Sequence, residues 1–262
     1  MKSIAIIGCK GHVGSAISEL MKNTYKVYGY DLNCGTKQEC NKCDVAFVCV
    51  PTPKKKDGSC DTSIVEESVK WLQTDLIIIK STVALGTTLD LKDLYLNKRI
   101  VFSPEFFGES KYYIPDEMHD KWKWPYHIFG GDKEDTSEAV DLFTEVLGPT
   151  KKYFQTDPTT AEFVKYAENV YFAMKVTFCQ QLFDFCEAIG IDYNEMREMW
   201  VKDPRINPMH TSVFRHKRGY GGKCFPKDVS AFYHTAKEFN IDLGIVKEII
   251  NYNKKIRNDS KD

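Results

Sequence analysis

One cysteine lies in a glycine-rich segment whose composition suits a covalent nucleophile. Cys224 occupies the sequence GYGGKCFPKD at 219–228, between Lys223 and Lys227, and a predicted helix starts near Asp228, whose short carboxylate suits an N-cap. Two cations and a helix N-terminus favour thiolate over thiol. Glycines at three of the ten positions indicate that the backbone approaches another group closely. The pattern predicts a thiolate nucleophile; the alternative, a structural cysteine beside a flexible turn, leaves the glycines unexplained.

A second candidate group lies on a predicted long helix. Glu162, Lys165 and Asn169 have the spacing i, i+3 and i+7, which places them along one stripe. A lysine alone is ordinarily a solvated surface group, but a lysine and an asparagine one turn apart can donate to a developing oxyanion. The neighbouring apolar residues are predicted to be core: Phe163, Val164, Ala167, Val170 and Tyr171.

A third pattern suits a dinucleotide. The segment GCKGHVG at 8–14 follows a buried-strand pattern and opens into a helix, so that a pyrophosphate can approach the helix N-terminus. Its spacing, G-x-x-G-x-x-G, is one residue longer than the usual motif. Asp31 ends the second strand, where a carboxylate accepts from a ribose hydroxyl and repels a 2′-phosphate. The pair predicts NAD rather than NADP, although a glycine turn in another α/β fold is the alternative. The predicted cofactor contacts here are Gly8, Gly11, His12, Val13, Gly14 and Asp31.

Polar residues also follow three other predicted strands. Because these strands are parallel, their loops should emerge at the carboxyl edge of the sheet, where ligands bind. Thr82 can hold a water, and Glu105 or Glu109 can accept a proton; each can equally be a helix cap or a solvated loop group. The loops are VPTP at 50–53, KSTVALGTT at 80–88 and SPEFF at 103–107.

The elements that must position these groups follow from hydrophobic periodicity. Residues 1–150 alternate short β-branched runs with amphipathic stretches, which indicates a Rossmann-type, doubly wound parallel sheet. The predicted strands are Ser3–Ile7, Lys26–Tyr30, Val45–Val50, Leu76–Lys80, Ile100–Ser103 and His127–Gly130. The predicted helices between them include Val13–Lys22, Ser63–Trp71 and Thr136–Leu147.

From about Lys151 the pattern is helical, with no strand expected. One long helix is predicted over 159–189, with a capping box formed by Thr159 and Glu162, and a last helix from Leu243. We therefore predict two domains: a cofactor-binding domain at 1–150 and an all-helical domain at 151–262.

Composition narrows the possible partners and the compartment. The chain has 262 residues and a formal net charge of -1, so no overall charge points to nucleic acid or an anionic membrane. Its apolar runs are far shorter than the ~20 residues of a spanning helix, and we expect a cytoplasmic protein. Nine cysteines, an odd number at irregular spacing, favour reduced thiols. A zinc site at Cys40 and Cys43, with Cys34 and Cys60 nearby, is the alternative to surface thiols; we predict no metal.

Taken in order, these segments resemble the UDP-glucose/GDP-mannose dehydrogenase family. That family shows V-P-T-P, K-S-T-V followed by G-T-T, S-P-E-F, a helix with K-x-x-x-N, and G-[FY]-G-G-x-C-x-P-K-D. Here the segments read VPTP, KSTVALGTT, SPEF, Lys165 with Asn169, and GYGGKCFPKD. The resemblance covers nearly the whole chain.

The resemblance implies an NAD-dependent, two-step oxidation of the C6 alcohol of a sugar nucleotide, with UDP-glucose as the expected substrate, in a homodimer. It implies that Cys224 is the nucleophile and that Lys165 and Asn169 steady the oxyanion. Water and protons would be managed by Asp228, Thr82, Glu105 and Glu109. Further cofactor contacts would come from Val50, Pro51, Thr52, Thr82 and Glu109. Substrate contacts would come from Glu105, Phe106, Lys165, Asn169, Tyr220, Gly221 and Arg205, the last reaching across a dimer interface.

Three departures from the family pattern stand out. The nucleotide loop has an extra residue near Cys9 and Lys10, Arg218 replaces a small or apolar residue, and the sequence stops at Asp262, where the family continues into a third domain. Two other functions therefore stay open: a non-catalytic NAD- or partner-binding module, and a single-hydride hydroxyacid dehydrogenase. GDP-mannose or a UDP-N-acetylhexosamine would use the same chemistry as UDP-glucose.

Overall fold

A twisted sheet of seven strands organises the first part of the chain. The computed structural model describes residues 2–106, 120 and 122–257. The spatial order of the strands is β2-β1-β3-β4-β5-β6-β7, and neighbours are parallel except for the antiparallel pair β5 and β6. The strands are β1 (Ser3–Ile7), β2 (Lys26–Tyr30), β3 (Val45–Val48), β4 (Leu76–Ile79), β5 (Arg99–Phe102), β6 (Tyr126–Gly130) and β7 (Lys152–Thr156). The predicted Rossmann-type fold is confirmed.

Both faces of this sheet are buried, which explains why its strands are continuous apolar runs. Successive side chains of a strand point to opposite faces. Ala5 and Ile7 therefore pack in one apolar cluster, whereas Ile4 and Ile6 pack in the other. Such strands, apolar on both faces, are typical of parallel sheets covered by helices.

The helices include the predicted ones, most of which begin close to their predicted residues. They are α1 (His12–Met21), α2 (Lys37–Cys40), α3 (Ser63–Trp71), α4 (Thr87–Leu94), α5 (Lys133–Leu147), α6 (Pro158–Ile189), α7 (Tyr193–Trp200), α8 (Phe225–Glu238) and α9 (Gly244–Ile256). Within the described residues, no helix combines the length and apolarity needed to cross a membrane.

The described chain divides into two compact units. The first comprises Met1–Pro53 and Cys60–Lys165, and the second comprises Lys54–Ser59 and Tyr166–Asp262. The expectation of no strand after Lys151 was wrong, because β7 pairs in parallel with β6. Three of the five residues of β7 are exposed, so it lacks the apolar run of β1, β3 and β4.

Two expectations about the helices were also wrong. Helix α8 begins at Phe225, with Cys224 as its N-cap, rather than near Asp228, because Pro226 fits the first turn of a helix. On α6, Phe163 and Tyr171 are about half exposed (47% and 52%) rather than core. Ala167 is exposed as well, while Val164 and Val170 pack at the edges of apolar clusters.

Candidate active site

The glycine cradle has the geometry that a dinucleotide requires. Gly8 has φ +85°, and its main-chain N–H donates to the Tyr30 carbonyl at 2.8 Å. A Cβ on Gly14 would overlap the Gly8 carbonyl oxygen, so this glycine allows the close approach of α1. Gly11 is the N-cap of α1, whose first turn has no acidic residue. The free N–H groups there suit a pyrophosphate.

Asp31 is fixed beside this cradle. Its Oδ2 accepts from the Lys10 N–H at 3.0 Å, and its Oδ1 accepts from the Leu32 N–H at 2.8 Å. Cys9, in the part of the loop that carries the extra residue, contacts strand β2, where a Cβ on Gly29 would lie 2.8 Å from its Sγ. The carboxylate thus sits where it can accept from a ribose hydroxyl, and the residues present fit NAD.

The loops after β3 and β4 are tied together by side-chain hydrogen bonds to main-chain carbonyls. Thr52 Oγ1 donates to the Thr82 carbonyl at 2.7 Å, and Ser81 Oγ donates to the Val50 carbonyl at 2.7 Å. Thr52 is buried, whereas the neighbouring Pro51 is exposed. The two predicted loops therefore lie side by side at the carboxyl edge of the sheet.

Glu105 lies in a buried ion pair with a lysine that the sequence analysis did not single out. Lys80 Nζ is 3.2 Å from Glu105 Oε2, and their side chains are 1% and 10% exposed. The same ammonium donates to Ser103 Oγ at 3.2 Å and to the Pro104 carbonyl at 3.3 Å. Lys80 therefore compensates the charge of the Glu105 carboxylate and orients it. Lys80 begins the KSTV segment, and this position in the sequence could have indicated its role beside Glu105.

Phe106 and Lys165 meet in the first unit. Lys165 Nζ lies 5.0 Å from the centroid of the Phe106 ring, within the range of a cation–π contact. Phe106 is buried and follows Glu105 directly, so these three predicted residues are brought close together. Glu109 lies outside the described residues.

Glu162 binds the start of α4 rather than forming the predicted capping box. Its carboxylate accepts from the Gly86 N–H at 2.6 Å, from the Thr88 N–H at 2.9 Å and from Thr88 Oγ1 at 2.6 Å. The side chain is fully buried, and this burial raises the pKa of Glu162. Asp157 instead caps α6, because its Oδ1 accepts from the Thr160 N–H at 2.9 Å.

The thiol lies in the second unit. Of the nine cysteines, Cys224 is exposed, while the other eight are buried or partly buried. It occupies the N-cap position of α8, and its carbonyl accepts from the Asp228 N–H at 2.8 Å. The thiol is therefore accessible at a helix N-terminus, which favours the thiolate.

Asp228 is a buried carboxylate in the first turn of α8 instead of the predicted cap. Asn169 Nδ2 donates to its Oδ2 at 2.5 Å, and Lys227 Nζ lies 2.8 Å from its Oδ1. The structure thus unites two residues that the sequence assigned to separate motifs. Lys227, expected to act on the thiol, directs its ammonium to this carboxylate.

Two glycines of the thiol segment, Gly219 and Gly221, closely approach Asn253 of α9 and Arg257, which directly follows α9. A Cβ on Gly219 would overlap Asn253 Oδ1, and a Cβ on Gly221 would overlap the Arg257 guanidinium. Tyr220 is buried, so both predicted substrate residues, Tyr220 and Gly221, carry packing roles here. Asn253 is the one polar residue on the apolar stripe of α9, and this position in the sequence could have indicated a buried polar contact.

Arg205 lies on the surface of the second unit. Its guanidinium is 87% exposed and pairs with Asp203, with Nη2 2.6 Å from Oδ2. It also borders a cavity of about 200 Å³ between α6 and the loop after α7, lined in part by Tyr171, Lys175 and Trp200.

The cysteines considered for zinc are not surface thiols. Cys40 and Cys43 pack in an apolar cluster beside the sheet. Burial raises the pKa of Cys40 to about 12 and raises that of Cys43. Cys60 is also buried, and its thiol faces the Thr82 carbonyl at 3.6 Å. In the part of the chain that the structure describes, no three His, Cys, Asp or Glu residues are grouped as a metal site.

Comparison with known families identifies both halves of the chain. Residues 12–146 match the NAD binding domain of the UDP-glucose/GDP-mannose dehydrogenase family, and residues 159–255 match its central domain. The first match confirms the predicted cofactor, NAD.

Relatives and solved structures agree with these matches. A UDP-glucose 6-dehydrogenase of Rickettsia typhi is 30% identical over 222 residues, covering 80% of this chain and 49% of the relative. A UDP-glucose dehydrogenase structure from Pyrobaculum islandicum superposes with a TM-score of 0.85, at 24% identity, covering 97% of this chain and 68% of that one. A UDP-D-ManNAc dehydrogenase from Pyrococcus horikoshii gives 0.81, at 21% identity and the same coverages. The chain spans about half the length of the curated relative.

Proposed function

The chain belongs to the UDP-glucose/GDP-mannose dehydrogenase family, and on this premise we propose that it oxidises the C6 alcohol of a sugar nucleotide with NAD, UDP-glucose being the substrate. One observation carries the proposal. The exposed Cys224 occupies the N-cap position of α8, and one turn later the buried Asp228 accepts a hydrogen bond from Asn169. A thiol that only served packing would be buried, as Cys40, Cys43 and Cys60 are.

The cofactor half of the reaction belongs to the first unit. When bound, NAD supplies the hydride acceptor, and the two oxidations use two NAD molecules in turn. The cradle of Gly8, Gly11 and Gly14 would hold its pyrophosphate, and Asp31 would accept from its ribose. Glu105 is held by Lys80 as an ion-paired carboxylate, suited to accept a proton directly or through a water.

The thiol carries the second oxidation. After the alcohol has lost a hydride and a proton, the Cys224 thiolate adds to the aldehyde carbon and forms a tetrahedral hemithioacetal. Donors that stabilise its oxyanion lower the barrier, and we assign this to the Lys165 ammonium and the Asn169 amide. Loss of the second hydride leaves a thioester on Cys224.

Hydrolysis completes the reaction. Water adds to the thioester carbon, the C–S bond breaks, and the product leaves as a carboxylate while Cys224 regains its thiolate and the two protons of the water pass to solvent. We assign Asp228 and Thr82 to the positioning of this water. Arg205 is exposed and positively charged, suited to the anionic part of a sugar nucleotide. We further propose that the protein acts as a homodimer in the cytoplasm.

The test is the NADH yield per sugar nucleotide consumed. A panel of UDP-glucose, GDP-mannose and UDP-N-acetylhexosamines is incubated with NAD and the chain. Two NADH per sugar support the proposal, because two hydrides leave C6. One NADH per substrate would instead indicate a single-hydride dehydrogenase, and NAD binding without any turnover would indicate a binding module.

A cysteine variant separates the chemistry from cofactor binding. Cys224→Ser should abolish production of the acid, since a serine alkoxide is not available near neutral pH, while the affinity for NAD stays nearly unchanged. Isothermal titration with NAD measures the second property. Loss of NAD affinity together with the acid would contradict the assigned roles.

A further inference from the structure

Arg218, the residue that departs from the family pattern, is held by helix α6. Its Nη2 donates to Asp184 Oδ1 at 2.8 Å and to the Gln180 carbonyl at 3.3 Å, and its Nε donates to the Gln180 side chain. The guanidinium also lies 4.7 Å from the centroid of the Phe183 ring. These contacts fix the chain immediately before Gly219.

Asn253 of helix α9 holds the main chain of Tyr220. Asn253 Oδ1 accepts from the Tyr220 N–H at 2.8 Å, and Asn253 Nδ2 donates to the Tyr220 carbonyl at 3.0 Å. The Asn253 side chain is buried. This pairing needs one donor and one acceptor side by side, which an amide provides and a carboxylate does not.

Gly219 makes this arrangement possible. It has φ +73°, and a Cβ there would overlap Asn253 Oδ1. A residue with a side chain would be strained in this conformation and would also displace the Asn253 amide. Gly219 is therefore required for the contact between Asn253 and the main chain of Tyr220.

The clamped residues lie close to the thiol along the chain. Tyr220 is buried in an apolar cluster with Val246 and Ile249 of α9, and its ring lies 6.5 Å from that of Phe225. Phe225 directly follows Cys224 and begins α8. Cys224 therefore lies in a short segment that is anchored on both sides, although its own side chain is exposed.

We propose that Arg218 and Asn253 are positioning residues that clamp the Gly219–Tyr220 peptide and thereby hold the Cys224 sulfur at the N-terminus of α8. The proposal rests on the proposed function, in which this sulfur is the nucleophile. Neither residue touches the substrate carbon; each acts through the backbone of the thiol segment. Release of the clamp allows the segment to turn and moves the sulfur away from the N-terminus of α8, whose positive dipole end favours the thiolate.

The test is the alkylation rate of Cys224 in the Asn253→Asp variant of the full chain. Aspartate has the same size but loses the donor and places an oxygen opposite the Tyr220 carbonyl. Iodoacetamide is the probe, and mass spectrometry of the Cys224 peptide separates it from the other thiols. Alkylation follows the thiolate, so we expect the rate constant near neutral pH to fall about tenfold. Asn251→Asp, an exposed change on the same helix, is the matched control and should keep the wild-type rate.

A second variant covers the case in which Asn253→Asp does not fold. Arg218→Lys keeps a charge for Asp184 but loses the Nε bond to Gln180, and it should lower the rate in the same direction by a smaller factor. Circular dichroism shows which variants are folded. Either variant, folded and alkylated at the wild-type rate, overturns the clamp. The clamp is judged by the ratio of the variant rate to the wild-type rate. The proposed nucleophile is judged by the wild-type rate itself, and a wild-type Cys224 that reacts no faster than a free thiol would contradict it.

Discussion

The amide of Asn169 donates to the carboxylate of Asp228 at 2.5 Å, which joins the long helix α6 to the first turn of α8. Asp228 is 1% exposed, and Lys227 Nζ lies 2.8 Å from its other oxygen. A buried carboxylate needs such partners, because they compensate the free energy that it loses on leaving water. The residue that we assign to water positioning is therefore also part of the packing of the second unit.

Replacement of Asp228 by alanine should destabilise the protein and remove activity. The change leaves the Asn169 amide and the Lys227 ammonium without this partner, and removal of one member of a buried pair costs about 3–5 kcal/mol. Urea unfolding followed by circular dichroism measures the free energy. Asp242→Ala, at an exposed position, is the control and should change it by less than about 0.5 kcal/mol. Equal stability of the two variants would mean that the buried pair contributes nothing.

Gly14→Ala should weaken NAD binding. The added methyl group overlaps the Gly8 carbonyl, so α1 must move away from the cradle that we propose holds the pyrophosphate. We expect the dissociation constant for NAD to rise about tenfold or more, equivalent to about 1.4 kcal/mol. Gly244→Ala has open space around its Cβ and should bind NAD as the wild type does. Tight binding by both variants would show that the pyrophosphate lies elsewhere.

Glu162→Ala should loosen the loop that carries Thr82. Glu162 accepts three hydrogen bonds from Gly86 and Thr88, and its loss leaves buried donors unsatisfied at about 1–3 kcal/mol each. Hydrogen exchange should become faster at the Gly86 and Thr88 amides, and the free energy of unfolding should fall by about 3 kcal/mol. The exposed Glu67→Ala is the control. Unchanged exchange at both amides would rule out this role for Glu162.

The sequence predicted the sheet well and the contacts of the site less well. β1 matches its predicted residues at both ends, because a strand buried on both faces leaves an unmistakable apolar run. β2, an edge strand whose residues after Lys26 are partly buried, also matches at both ends. β7 was missed because three of its five residues are exposed and it has no apolar run. The local pattern of the thiol segment likewise marked Cys224, whose exposure is a local property.

Residue spacing could not predict hydrogen bonds between residues that are far apart in the sequence. Glu162 fitted a local capping box, but its partner Thr88 lies 74 residues away in sequence. The bond between Asn253 and Tyr220 spans 33 residues, and periodicity along one helix carries no information about it. At Glu162 a tertiary contact therefore replaced the predicted local capping box. At Asn253 the contact with Tyr220 is defined by the fold and not by the sequence of α9.

The cap of α6 by Asp157 should make stability depend on pH. Hydrogen bonds from the Thr160 hydroxyl and N–H lower the pKa of Asp157 in the folded protein. Because the folded pKa is depressed, the cap stabilises the fold above the unfolded value of about 3.9, and this contribution is lost as the pH falls through the lower folded pKa. Asp157→Ala should therefore lower the free energy of unfolding by about 1 kcal/mol near neutral pH, and this difference should shrink below about pH 4. Urea titrations of wild type and variant across this range measure it, with the exposed Asp75→Ala as control. A difference that stayed constant down to about pH 3 would mean that the ionised carboxylate is not what caps the helix.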